Sequence, residues 1–257
     1  MAPAGVVFLM YHELEVPGRA VSRSEPGYIR YILAENSFKT QMNWLAQNGW
    51  RGLSTGDALA YPDGKSVAIT FDDGCETDFV TAAPILKEHG FNATFYVTAG
   101  FMGKPGYMIP AQLQQLSALG FEIGCHSMTH AYLDDLDPMA LQREIADAGK
   151  KLEDMTGRKV AHFSCPGGRL NERVITVARE GGYRSLATSS ARVNTPATDP
   201  FLLGRVAIMR DFMLTSFGEV CEGKSLWRMR LNESLRGTAK QIMGNTLYDR
   251  FRELLLR

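Results

Sequence analysis

With 257 residues, 45% hydrophobic content, 25 Gly and 11 Pro, the chain holds enough apolar material for one large domain or two small ones, which excludes a disordered polymer. Lys+Arg and Asp+Glu balance at 28 each, so composition provides no global attraction for nucleic acid or another polyanion. The N-terminus "MAPAGVVFLMYHELE" has no positive region, and its apolar run, Val6 to Met10, is too short for a secretion signal or a membrane span; the expected location is cytoplasmic, although a trimmed secreted chain would look the same. From there one rhythm repeats: a helical pattern ends in Gly, and a short β-rich run follows. The spacing predicts helices over 37–48, 78–89, 110–119, 137–156 and 171–180, the fourth opened by Asp137 as N-cap and Pro138 at its first position. The runs that follow them are "NGWRGLS", "HGFNATFYVT", "LGFEIGCHS", "TGRKVAHFSCP" and "GGYRSLATS". Adding "VVFLMYH", "SVAITFDDG" and "LGRVAI" makes seven or eight strands, enough for a closed or nearly closed parallel barrel, with an open doubly wound sheet as competitor. Gly/Pro-rich loops lie at 15–36, 99–110 and 188–204. From residue 213 the rhythm stops, so the expected division is a catalytic barrel over 1–212 and a helical extension over 213–257. In "LYDRFRELLLR" Leu247, Phe251, Leu254 and Leu255 form one helical stripe, which suits packing on the barrel by default, with an oligomer or membrane-surface contact as alternatives.

Chemistry in such a fold collects where strands end. Tyr11 and His12 close the first strand, and Asp72 and Asp73 of "TFDDG" close another. Two adjacent carboxylates at the edge of a core repel each other and lose hydration unless something positive compensates, and a metal ion is one such compensator. As a local pattern, Asp-Asp-Gly is also good turn chemistry. In "CHSMTH", His126 and His130 stand four apart; on a helical turn both imidazoles would face one metal. Two histidines and Asp73 make a facial ligand set that leaves positions open for water and substrate. Cys75, Cys125, Cys165 and Cys221 show no CxxC pairing and read as reduced thiols filling crowded strand ends.

Together "TFDDG", "HSMTH" and "SCPGGR", with "LMYHEL" and "SFKTQMNWLAQNGW" before "GLS", resemble the polysaccharide deacetylases, carbohydrate esterase family four, over about residues 6–210. The resemblance implies a distorted (β/α) barrel with Asp72 as catalytic base and a divalent metal, most commonly Zn2+, on Asp73, His126 and His130. It implies an oxyanion donor in the Gly167 N–H, and Tyr11, Pro166 and Arg169 are the candidate substrate contacts. The sequence departs from the family pattern in two places. Ser164 stands where the third motif has the Arg that orients the base, with Arg169 as a nearby substitute, and no His follows residue 162 to serve as the usual acid. His12 is the candidate acid, with sugar positioning as its rival role; His89 and His162 read as structural. The expected activity is metal-dependent removal of N-acetyl groups from amino sugars of a polysaccharide or glycoconjugate. The alternatives are an O-acetyl esterase or deformylase on the same metal, or a non-catalytic glycan-binding relative. The expected partner is N-acetylated carbohydrate, with no nucleic acid and no membrane span.

Overall fold

The computed structural model describes residues 5–61, 64–227 and 229–230. A curled sheet of β1 (Val6–Tyr11), β4 (Arg51–Leu53), β5 (Ser66–Asp73), β6 (Thr94–Val97), β7 (Glu122–Cys125), β8 (His162–Ser164) and β9 (Ser185–Ala187) is parallel throughout, as the alternating helices require. Two two-residue strands, β2 (Leu14–Glu15) and β3 (Leu33–Ala34), pair outside it, and β10 (Val193–Asn194) runs antiparallel on β1. The ring is completed by residues 203–207: Leu203 bridges Ala187 of β9, and β11 (Val206–Ala207) pairs with Leu9 and Met10 of β1. The result is a distorted (β/α) barrel.

Helices form where the periodicity placed them. Asp137 caps the Pro138 helix by accepting from the Ala140 N–H at 2.9 Å, and Asn171 caps Glu172–Glu180 by accepting from the Val174 N–H at 3.1 Å. Two helices contain a wider turn than the pattern predicts, with π geometry over Asp78–Ala82 and Arg143–Asp147. The loop expected over 15–36 contains a short helix, Pro26–Ile29, and β3.

Two separate cores result. Between sheet and helices lie Val7, Leu9, Tyr11, Ile69, Phe71 and Phe95 with the apolar helix faces. Inside the barrel lies a small layer of Phe8, Ala68, Tyr96, Ala187 and Leu203. Below that layer, His162 Nδ1 meets Ser185 Oγ at 2.8 Å, its Nε2 lies 3.4 Å from Glu122, and Glu122 accepts from Thr94 Oγ1 and the Gly56 N–H. This Ser–His–Glu row plugs the N-terminal end of the barrel, and its serine is fully buried. Above the layer, at the strands' C-terminal ends, the remaining buried polar groups form the site. The helix Leu214–Cys221 packs Phe217 against Trp44 at 5.8 Å between ring centroids, whereas the stripe at Leu247, Phe251, Leu254 and Leu255 lies outside the described residues.

Candidate metal centre

Side chains alternate along β5: Val67, Ile69 and Phe71 face the helices, while Ala68, Thr70 and Asp72 face the barrel axis. Asp73 should therefore follow Phe71 outward. Instead its φ of 82°, in the left-handed region that non-glycine residues seldom occupy, turns its carboxylate to the same side as that of Asp72. Both carboxylates are 2% exposed, so each needs a buried positive partner.

The histidines supply one side of that requirement. They do not sit on a helical turn; His126 leaves β7 directly, and Ser127 and His130 adopt φ of 68° and 64° in a loop closed by the His130 N–H donating to Ser127 Oγ at 2.9 Å. The ring-on-one-face geometry expected of a helix is reached by these left-handed turns. His126 Nδ1 contacts the Ser164 carbonyl at 2.8 Å, and because a carbonyl only accepts, this nitrogen carries the proton. Nε2 then keeps its lone pair and lies 3.7 Å from Asp73 Oδ1 and 3.8 Å from Asp72 Oδ2, and His130 Nε2 lies 3.4 Å from the same Asp73 oxygen. Asp73 Oδ1 is buried with no hydrogen-bond partner among the described residues. Three ligand atoms within 4.8 Å of one another, one tautomer locked from behind and one orphaned carboxylate oxygen fit a divalent cation.

Asp72 has a different partner, one that the sequence reading missed. Arg205, 1% exposed, donates from its two terminal nitrogens to Asp72 Oδ1 at 2.7 Å and Oδ2 at 2.8 Å. Its remaining donors reach Thr70 Oγ1 at 3.2 Å, Ser164 Oγ at 2.7 Å and the Thr188 carbonyl at 3.0 Å, so all five N–H groups are used. Ser164 Oγ in turn donates to Asp72 at 3.3 Å. Burial alone would raise the Asp72 pKa, but the Arg205 charge, with His126 behind it, holds the carboxyl well below the usual carboxylate range. The serine in the third motif thus leaves room for an arginine arriving from the closing strand. Arg169, the expected substitute, instead lays its guanidinium over the Tyr132 ring, 3.7 Å from the centroid.

These groups line a cleft of about 370 Å3. One wall comes from the 15–36 segment, with Arg23, Glu25, Tyr28 and Tyr31; the other carries Tyr132, Gly167, Gly168 and Ser189. Glu13 pins the first wall by accepting from the Ser22 N–H at 2.8 Å and from Ser22 Oγ at 2.6 Å. His12 lines the cleft with its ring 4.7 Å from that of Tyr31; burial pushes its pKa down, against an opposing pull from Asp73 and Asp72. Gly167, at φ 63°, lines the cleft too. None of the three expected substrate contacts lines it. Tyr11 shares the outward parity of Val7 and Leu9: its ring stacks on Phe71 and its hydroxyl donates to Gln41 at 2.9 Å. Pro166 is buried beneath the turn that brings Gly167 forward, and Arg169 lies against Tyr132, which itself lines the wall. All four cysteines are buried free thiols, and burial pushes them up, Cys125 to about 12, which disfavours the thiolate form.

Known proteins resemble this chain in sequence and in fold. The family model for polysaccharide deacetylase matches residues 60–186, which contain Asp72, Asp73, His126, His130 and Ser164. The chain is 28% identical to the Bacillus subtilis protein YxkH over 226 residues, 86% of this chain and 77% of that protein. It is 31% identical over 126 residues, 49% of this chain, to the peptidoglycan-N-acetylglucosamine deacetylase of Bacillus cereus, of which it spans 57%. The solved structure of the Streptococcus pyogenes deacetylase PplD superposes with a TM-score of 0.76 at 23% identity, covering 86% of this chain and 99% of that one, a likeness of fold.

Two outcomes follow from the charges. Arg205→Met leaves a buried carboxylate unpaired and should lower stability by about 3–5 kcal/mol in urea unfolding, whereas Arg205→Lys keeps the charge, loses the fork and should cost less; metal content should persist in Arg205→Lys. His126, neutral in the fold because burial pushes it down to about 4 from an ordinary 6.5, takes up its proton in the unfolded chain first. The metal-free protein should therefore lose roughly 3 kcal/mol as pH falls from 6.5 toward 4, a slope that His126→Gln removes in pH-dependent urea unfolding.

Proposed function

We propose that this chain, which belongs to the polysaccharide deacetylase family, removes N-acetyl groups from amino sugars of a polysaccharide or glycoconjugate. The observation that carries the proposal is the convergence of Asp73, His126 and His130 beside an arginine-held Asp72 at the floor of one cleft. The family is metal-dependent, and of the divalent ions we assign Zn2+, because two imidazoles and one carboxylate suit it. When bound there, it supplies Lewis acidity to the acetamide carbonyl and to the attacking water.

Asp72 is ionised and oriented by Arg205, so in this reading it accepts the water's proton. A carboxyl held so far down is a weak base but, once protonated, a strong acid, so it readily passes that proton to the departing amine. His12 is the less suited donor: burial keeps its imidazole neutral, and neutralising Asp73 with a cation weakens the pull that would charge it. We therefore assign Asp72 both transfers and His12 the positioning of sugar. The Gly167 N–H is the proposed oxyanion donor, since its left-handed φ brings backbone to the cleft wall.

Acetate release from N-acetylglucosamine oligomers should stop on chelation and return with Zn2+. Asp72→Asn should keep its metal while turnover falls by about 100-fold or more; loss of metal in this variant would make Asp72 a ligand and overturn the division of roles. A panel including O-acetyl and N-formyl sugars separates the rival acyl substrates. For His12→Gln we expect a raised KM with kcat nearly unchanged; a fall in kcat alone, with loss of a basic limb in the pH profile, would restore His12 as the acid.

A further inference from the structure

The ligand loop His126–His130 owes its shape to a carboxylate outside the site. Ser127 and His130 both occupy the left-handed region, a conformation that persists only where the surroundings impose it. From one side the loop is held by backbone: the Ala99 N–H donates to the Ser127 carbonyl at 3.0 Å and the Gly100 N–H to the Met128 carbonyl at 2.8 Å. From the other side a single residue holds it. Glu144 Oε2 accepts from the Met128 N–H at 3.0 Å and the Thr129 N–H at 2.8 Å, and Oε1 accepts from Thr129 Oγ1 at 2.6 Å. Glu144 is 7% exposed and belongs to the π turn Arg143–Asp147. The wider turn is itself supported: the Tyr183 hydroxyl donates to the Ile145 carbonyl at 2.8 Å, and Gly149 makes room for that hydroxyl, which would lie 2.2 Å from a Cβ there.

We propose that Glu144 is a positioning residue that sets metal affinity by holding the 127–130 loop in the conformation that aims His130 at Asp73, an inference that rests on the metal reading above. What it supplies is reach. Three donors meet two oxygens at the end of a three-carbon side chain, and Gln spans the same distance: its carbonyl oxygen accepts both backbone N–H groups while its amide donates to Thr129 Oγ1, which rotates to accept. Asp keeps the charge but falls short by one methylene. Zn2+ affinity is measured by chelator competition, with the visible spectrum of the Co2+ form as reporter of ligand geometry, on samples whose metal-free circular dichroism matches wild type. Glu144→Asp and Glu144→Ala should each bind Zn2+ about 10- to 100-fold more weakly with an altered Co2+ spectrum, while Glu144→Gln stays near wild type. Wild-type affinity and spectrum in Glu144→Asp overturn the proposal, as does a loss in Glu144→Gln equal to that in Glu144→Asp. A His126→Ala, His130→Ala double variant keeps the two readings apart: wild-type affinity there overturns the metal site itself, whereas its loss together with an unaffected Glu144→Asp overturns only the role of Glu144.

Discussion

The buried pair between Arg205 and Asp72 is the contact on which the top of the barrel depends. Neither charge could stand there alone, since an unpaired buried ion costs several kcal/mol. Their geometry is therefore complete: a two-pronged fork on the carboxylate, with every other guanidinium donor accepted by Thr70, Ser164 or Thr188. Thr70 and Asp72 belong to β5, Ser164 to β8, and Thr188 follows β9, so one side chain ties three parts of the ring together. Because Arg205 lies between Leu203 and Val206, the residues that bridge β9 and β1, closing the barrel and orienting the proposed base are the same event.

Around that pair the interior is layered. A polar plug of Glu122, His162 and Ser185 fills the N-terminal end, a thin apolar layer follows, and Arg205, Thr70, Asp72 and Ser164 form the upper floor. The apolar layer separates the polar end groups, and the members of the plug and of the upper floor are hydrogen-bonded to one another. Ser164 joins the upper floor to the ligand set: its hydroxyl serves Arg205 and Asp72, and its carbonyl fixes the His126 tautomer. An arginine at position 164 would place a second guanidinium where Arg205 already meets its acceptors.

Backbone strain is concentrated where the candidate ligands are aimed. Asp73, Ser127 and His130 are three of the five non-glycine residues with positive φ among those described. At Asp73 the unusual φ breaks strand alternation, so two neighbours in sequence face one cleft; at Ser127 and His130 it allows a short loop to present two imidazoles without a helix. Such conformations cost of order 1–3 kcal/mol each, and the surrounding hydrogen bonds, including those to Glu144 and the Gly100 N–H, maintain them.

The helix-strand rhythm, the opening of a helix by Asp137, and the candidate set Asp72, Asp73, His126 and His130 were legible in the sequence because local periodicity and short motifs carry them. Tyr11 was misjudged because β1 is buried on both faces, so its alternation carries no polar-apolar contrast to reveal which side chains face the axis. The histidine spacing suggested a helix because four residues apart is one turn, and nothing local in "CHSMTH" discloses that Glu144, fourteen residues beyond, holds a loop instead. Arg205 was invisible for the same reason on a larger scale. It stands 133 residues from Asp72 along the chain, without a motif of its own, and only barrel closure brings the two within a hydrogen bond. Sequence determined which chemical groups are present and which strand ends carry them; tertiary structure decided which buried charge neutralises which, because compensation between charges depends on distance in space.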